Sequence, residues 1–161
     1  MIDIREERKE IRRLLWRWGG VTAFCARRQK ELVEYGELID SVSDIKPQVL
    51  TGMPIGSEVS SPTERNAERL RSLKERYAER IIDLTAEIDD ELAFAAAVES
   101  AMGDFTPIEK TVLDFKYKHE RRVRVVADRL RYSVAQIENI ERGAVDKLRK
   151  RISVEYDSEK D

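Results

Sequence analysis

The sequence predicts an all-α protein, built as a long antiparallel helical hairpin followed by a small three-helix, helix-turn-helix domain. Three observations predict it. Apolar residues recur at three- and four-residue spacing over most of the 161 positions. Only 7 Gly and 4 Pro are present, and three of the prolines (Pro47, Pro54 and Pro62) fall in one short stretch. Charged residues make up 39% beside 41% apolar ones, a balance that suits solvated helices with narrow buried stripes better than a thick layered core.

Residues 1–43 read as one long amphipathic helix. Ile4, Ile11, Leu14, Trp18, Val21, Cys25, Leu32, Tyr35, Ile39 and Val42 form a 3-4 seam that Leu15, Phe24 and Leu38 widen. Gly19-Gly20 interrupts it. Each glycine costs ~1 kcal/mol relative to Ala inside a helix, so a kink, a break or a close helix crossing is expected there. Trp16 and Trp18 lie two apart and must face different ways, so one belongs to the core and the other to another face.

Residues 44–62, DIKPQVLTGMPIGSEVSSP, form a connector that no helix survives. Its Leu50–Ser57 stretch lacks the lysine and spacing of a phosphate loop and reads as turn chemistry. Residues 63–103 resume helical periodicity, with Leu70, Leu73, Tyr77, Ile81, Leu84, Ile88, Leu92, Ala95 and Met102 on one face. The two stripes can bury each other antiparallel, or bury a second copy; so thin a pair favours a homodimer or higher homo-oligomer.

Residues 104–152 carry a compact trio. Thr106-Pro107-Ile108-Glu109 is a capping box with Pro at the first helical position. The first short helix presents Ile108, Val112, Leu113 and Phe115, and a second, over about 122–131, presents Val123, Val126, Ala127 and Leu130. Arg131-Tyr132-Ser133 makes a turn, and Ser133 with Gln136 caps a third helix over 134–151 that buries Ile137, Ile140, Ala144, Leu148 and Ile152. Residues 153–161 are an acidic tail expected to be disordered.

Charge is distributed unevenly. From Asp104 to Arg151 there are 13 Lys/Arg against 8 Asp/Glu, whereas the whole chain carries a net −2. A basic compartment in an acidic chain points to a local polyanion site. The third helix leaves Ala135, Gln136, Glu138, Asn139 and Arg142 near its amino end to face base edges in a major groove. Asn and Gln suit adenine, and Arg suits guanine or a phosphate. Arg121, Arg122, Arg124, Arg129 and Arg131 before the turn, Ser133 in it, and Lys147, Arg149, Lys150 and Arg151 after it are candidate phosphate contacts.

Other classes find little support. Cys25 and His119 are each alone of their kind and sit in different compartments, so no nucleophile-base set and no multi-cysteine metal site can be assembled. The expectation is a protein that is not an enzyme, needs no cofactor or metal, has no membrane segment and stays in the cytoplasm.

Three segments carry a resemblance: Glu109–Leu113, Val126–Ser133 and Ile137–Arg149. Over about 45 residues, their Tyr-Ser, Ile, Ile, Ala, Leu-Arg frame resembles region 4 of bacterial sigma factors. One departure is local. Val134 and Ala135 stand where that region usually has a basic and an acidic residue, so its promoter preference is not carried over. The chain as a whole, with Leu50–Ser57 between two long helices, resembles small phage and prophage late regulators of the ArpU/RinA type. That resemblance implies a double-stranded DNA-binding regulator of phage late or packaging genes in a bacterial host. Two further readings keep the same elements: a phage small terminase subunit that binds a packaging site as a ring, and a module that binds RNA polymerase. Glu138 and Glu141, expected on or beside the reading face, bear on the last.

Overall fold

The structure, a computed structural model, describes the backbone of residues 3–44 and 62–158 and the side chains of 3–44 and 63–152. Every described element is helical: α1 (Ile4–Asp44), α2 (Pro62–Ala101), α3 (Pro107–Leu113), a π-helical turn (Asp114–Lys118), α4 (Val123–Leu130) and α5 (Val134–Ser158). Among the described residues no helix is long and apolar enough to cross a membrane. The connector expected over 44–62, including the Leu50–Ser57 stretch, lies almost wholly outside the described residues. α5 runs on to Ser158, past the 151 at which the sequence suggested it would stop and into the expected tail. No glycine or proline follows Gly143 to end it.

The chain forms two compact units, one of residues 1–24 with 91–161 and the other of residues 25–90. The boundary drawn from sequence at 103/104 therefore cuts through a core. In the first unit, Ile11, Leu15 and Trp18 of α1 and Val98 of α2 pack in one cluster with Met102, Phe105, Leu113, Tyr117, Ala144, Val145 and Leu148. A satellite cluster of Val112, Val126, Ala127 and Ile137 joins α3, α4 and α5. Parts of the two long helices thus complete the core that Leu113, Ala144, Val145 and Leu148 begin. Leu15, expected only to widen the seam, is fully buried, whereas Ile4 and Leu92 of the expected stripes are half exposed. Trp18 is the core tryptophan; Trp16 is exposed and meets Tyr117 edge-on, with ring centroids 4.8 Å apart.

α1 continues through Gly19-Gly20 without a break. A Cβ at Gly19 would lie 2.0 Å from the backbone oxygen of Tyr117 and 2.4 Å from its carbonyl carbon, while one at Gly20 would meet nothing. The glycine is there because the π-helical turn passes directly against α1. The expected close crossing is observed, and the expected break is not.

In the second unit, α1 and α2 run antiparallel, since partners on α2 fall in number as those on α1 rise. Arg28 pairs with Glu87 at 2.8 Å, Glu31 with Arg80 at 3.3 Å, and the Tyr35 and Tyr77 rings lie 5.6 Å apart. Cys25, Leu84 and Ile88 are buried, Leu32, Tyr35, Ile39 and Tyr77 only partly so, and Val33, Leu38 and Ile82 face solvent.

Candidate nucleic-acid interface

α4 and α5 are joined by Arg131-Tyr132-Ser133, and the chemistry of that joint sets the exposed edge of α5. Arg131 closes α4 in the left-handed region at φ 59°, and the Tyr132 N–H donates to the Ala127 carbonyl at 3.1 Å. This is a C-cap that usually uses glycine. α5 then opens on a reciprocal capping box. The Gln136 N–H donates to Ser133 Oγ at 3.1 Å, and Ser133 N–H donates to Gln136 Oε1 at 2.9 Å. The expected turn and cap are both present.

Ala135, Gln136, Glu138, Asn139 and Arg142 are all exposed. The opposite side of the same turns is buried through Ile137, Glu141, Ala144 and Val145. An edge one to two turns long is thus left open at the amino end of a helix whose back is sealed, as groove entry requires. Gln136 is spoken for in part. Bidentate pairing with adenine needs its carbonyl oxygen, which the cap already uses, so Asn139 is the amide on this edge with both groups available.

Glu141 does not lie on the edge, contrary to the sequence expectation. It is 5% exposed and accepts from Arg12 Nε at 3.0 Å and Nη2 at 3.1 Å, from Lys116 Nζ at 3.3 Å and from the Tyr117 hydroxyl at 2.7 Å. Burial pushes its carboxyl up, but the bonds from Arg12 and Tyr117 and the charge of Lys116 outweigh burial and hold it below the ordinary range. Burial, then the bond to Glu141, pushes the Tyr117 phenol far upward. Only Glu138 remains as an exposed carboxylate on the edge.

The candidate phosphate contacts divide into two groups. Arg121, Arg122, Arg124 and Arg131 flank and begin α4, all exposed, with no ion-pair partner among the described residues, as is Lys150. Arg129, also exposed, lies 5.7 Å over the Phe115 ring. The others are engaged inside the fold. Ser133 caps α5. Lys147 holds Glu109 at 2.7 Å, Arg149 holds Glu7 at 2.8 Å, and Arg151 holds Asp104 at 2.6 Å and the Ala101 carbonyl. Their acidic partners lie 38 to 142 residues away in sequence, which is why spacing alone did not separate these bases from the unpaired ones.

The site also has members that sequence reasoning missed. Arg8 of α1 makes a two-point pair with Asp146 of α5, Nε to Oδ1 and Nη2 to Oδ2, both at 2.8 Å. That bond, ahead of burial, lowers the Asp146 carboxyl below its ordinary range. The first turns of α1 therefore pair with α5 at Glu141, Asp146 and Arg149, and among the described residues no ion pair from α1 reaches the open edge. The 3-4 spacing of Arg5, Arg8, Lys9 and Arg12 was the available signal, masked by the acidic residues interleaved with it.

Comparison with protein-family models, with curated proteins and with solved structures finds no match to this chain. The resemblance to sigma region 4 and to phage late regulators rests on the residues quoted for it.

Proposed function

We propose that this chain is a sequence-specific, double-stranded DNA-binding regulator whose α4–turn–α5 unit acts as a helix-turn-helix, with α1 and α2 as the hairpin that carries it. The observation that supports this most is the bare leading edge of α5, capped at Ser133 and sealed behind by Ile137 and Glu141. Asn139 and Arg142 are the base-reading pair, and Arg121, Arg122, Arg124 and Arg131 are the backbone contacts. The resemblance to phage late regulators directs the proposal to late or packaging genes. RNA polymerase is a further partner on this reading. Self-association would use the apolar side chains that the second unit leaves exposed, Val33, Leu38 and Ile82. Burial of Glu141 weakens the competing view of α5 as a polymerase-binding face without DNA, because that view drew on two carboxylates at the edge and one is internal.

Selection of binding sites from random duplexes with the purified chain tests the proposal. An enriched motif is expected, with Asn139→Ala losing ~1–3 kcal/mol at that motif while non-specific affinity holds. No retention of any duplex at low salt rejects it.

A further inference from the structure

α1 contributes more than packing. A groove of about 520 Å³ lies where its first two turns approach α5, and it is lined by Arg5, Arg8, Lys9, Arg12 and Arg142 with no carboxylate among the lining residues. The four α1 residues fall at i, i+3, i+4 and i+7, one face of the helix. Arg142 is the last residue of the open edge of α5, so the groove begins where that edge ends. Two of the five cations are already fixed in place. Arg8 and Arg12 are each gripped at Nε and Nη2, by Asp146 and Glu141, and neither pair uses Nη1. Arg5 and Arg142 have no ion pair among the described residues, and Lys9 meets only Glu6 on its own helix at 2.6 Å.

Such a constellation is expensive to assemble unless an anion occupies it: five cations converge, and the carboxylates that offset three of them, Asp146, Glu141 and Glu6, are not among the lining residues. A guanidinium held from behind loses little side-chain freedom when its remaining nitrogen meets an anion. We propose that this groove takes a backbone phosphate of duplex DNA beside the bases that Asn139 and Arg142 face, so that α1 and α5 grip the duplex together. This deepens the proposed function and rests on it. Glu7 and Glu10 do not compete for the groove cations, being paired with Arg149 and Arg13.

The test uses the full chain and a fluorescent non-cognate duplex, titrated over a range of salt. Arg5→Ala, which releases no carboxylate, should weaken binding to every sequence alike and flatten the log–log salt dependence by roughly 0.9; Arg5→Ala with Lys9→Ala should flatten it by up to about twice that. Both positions are exposed, so the melting temperature should stay unchanged. Arg122→Ala with Arg124→Ala, at the start of α4, is the comparator. If that pair weakens binding while the α1 variants keep wild-type affinity and slope, the groove inference is overturned and the proposed function stands. If the wild-type chain binds no duplex at low salt, both fall. A loss confined to one sequence would also overturn the inference, because a phosphate contact carries no sequence preference.

Discussion

The two halves of α5 share one helical face and treat it in opposite ways. At Ala135, Glu138, Asn139 and Arg142 the face is bare. Four and seven residues beyond Arg142, Asp146 and Arg149 continue the same face and are covered by Arg8 and Glu7 of α1. Since the two halves belong to one continuous helix, the difference comes from what α1 reaches. α1 runs antiparallel to α5, from Glu7 at Arg149 through Arg8 at Asp146 to Arg12 at Glu141. By Gly19 it lies against the π-helical turn instead, so none of its described side chains pairs with the open edge. The covered half gives the open one a fixed direction. On the proposed function the edge has to be bare and still, and a clamp further along the helix serves both needs.

The clamp is centred on Glu141, and removing it should give the largest effect. Glu141→Ala leaves Arg12, Lys116 and the Tyr117 hydroxyl facing one another without an acceptor. Breaking a buried pair costs about 3–5 kcal/mol, and the lower end applies here because Arg12 and Lys116 keep 35% and 26% of their side-chain surface. Chemical denaturation of the two proteins measures it. The carboxyl is held below its ordinary range when folded. Its stabilising contribution is therefore complete above the ordinary glutamate range and is lost as pH falls from there through the lowered value. Asp146 and Asp104, lowered chiefly by their bonds to Arg8 and Arg151, act with the same sign. Wild type should lose stability with acid more steeply than Glu141→Ala; equal slopes would show that the hub does not hold α5.

The two adjacent glycines of α1 should differ by the next largest margin. Gly19→Ala drives a methyl into the backbone of Tyr117 and must push α1 away from the π-helical turn that carries Lys116 and Tyr117 to Glu141. Overpacking of this kind costs about 1–3 kcal/mol, with no flexible side chain to absorb it. Gly20→Ala meets empty space and should stabilise the helix by about 1 kcal/mol. Thermal melts of the pair read the difference directly. Similar melting points for the two variants would mean that α1 does not pass where the structure places it.

Those residues also show how far the sequence could be read. The helices, the two capping boxes and the edge from Ala135 to Arg142 follow from local periodicity and local polar chemistry, and α4 and the start of α5 fall within a residue of where the pattern puts them. The roles of Glu141, Arg8 and Arg149 did not follow. Each is decided by a partner more than twenty residues away, and nothing within one helical turn distinguishes a glutamate that will be buried from one that will face solvent. The basic groove was hidden for a related reason. Net charge over residues 1–103 averages the cationic face of α1 with the acids beside it, and only the approach of Arg142 shows which side counts. The partition into units was equally distant, since Leu15 and Leu148 share a core across more than 130 positions.

The smallest effect lies at the hinge between α4 and the open half of α5. Arg131 holds a left-handed conformation that costs a side-chain-bearing residue roughly 1–2 kcal/mol and glycine nothing. Arg131→Gly keeps the cap and relieves the strain; after the extra chain entropy of glycine in the unfolded state, about 1 kcal/mol of stability should remain. If the arginine is there only to close the helix, the variant is simply better. If it contacts a phosphate, the same variant melts higher and binds every duplex more weakly, with the salt dependence flattened by roughly 0.9. Arg131→Asn, which also tolerates this conformation, should reproduce the binding loss and so separate lost charge from a loosened turn. Strain kept at an exposed position with no partner among the described residues is what selection for a contact outside the chain would leave behind. A variant that gains stability and loses nothing in DNA binding would remove Arg131 from the interface.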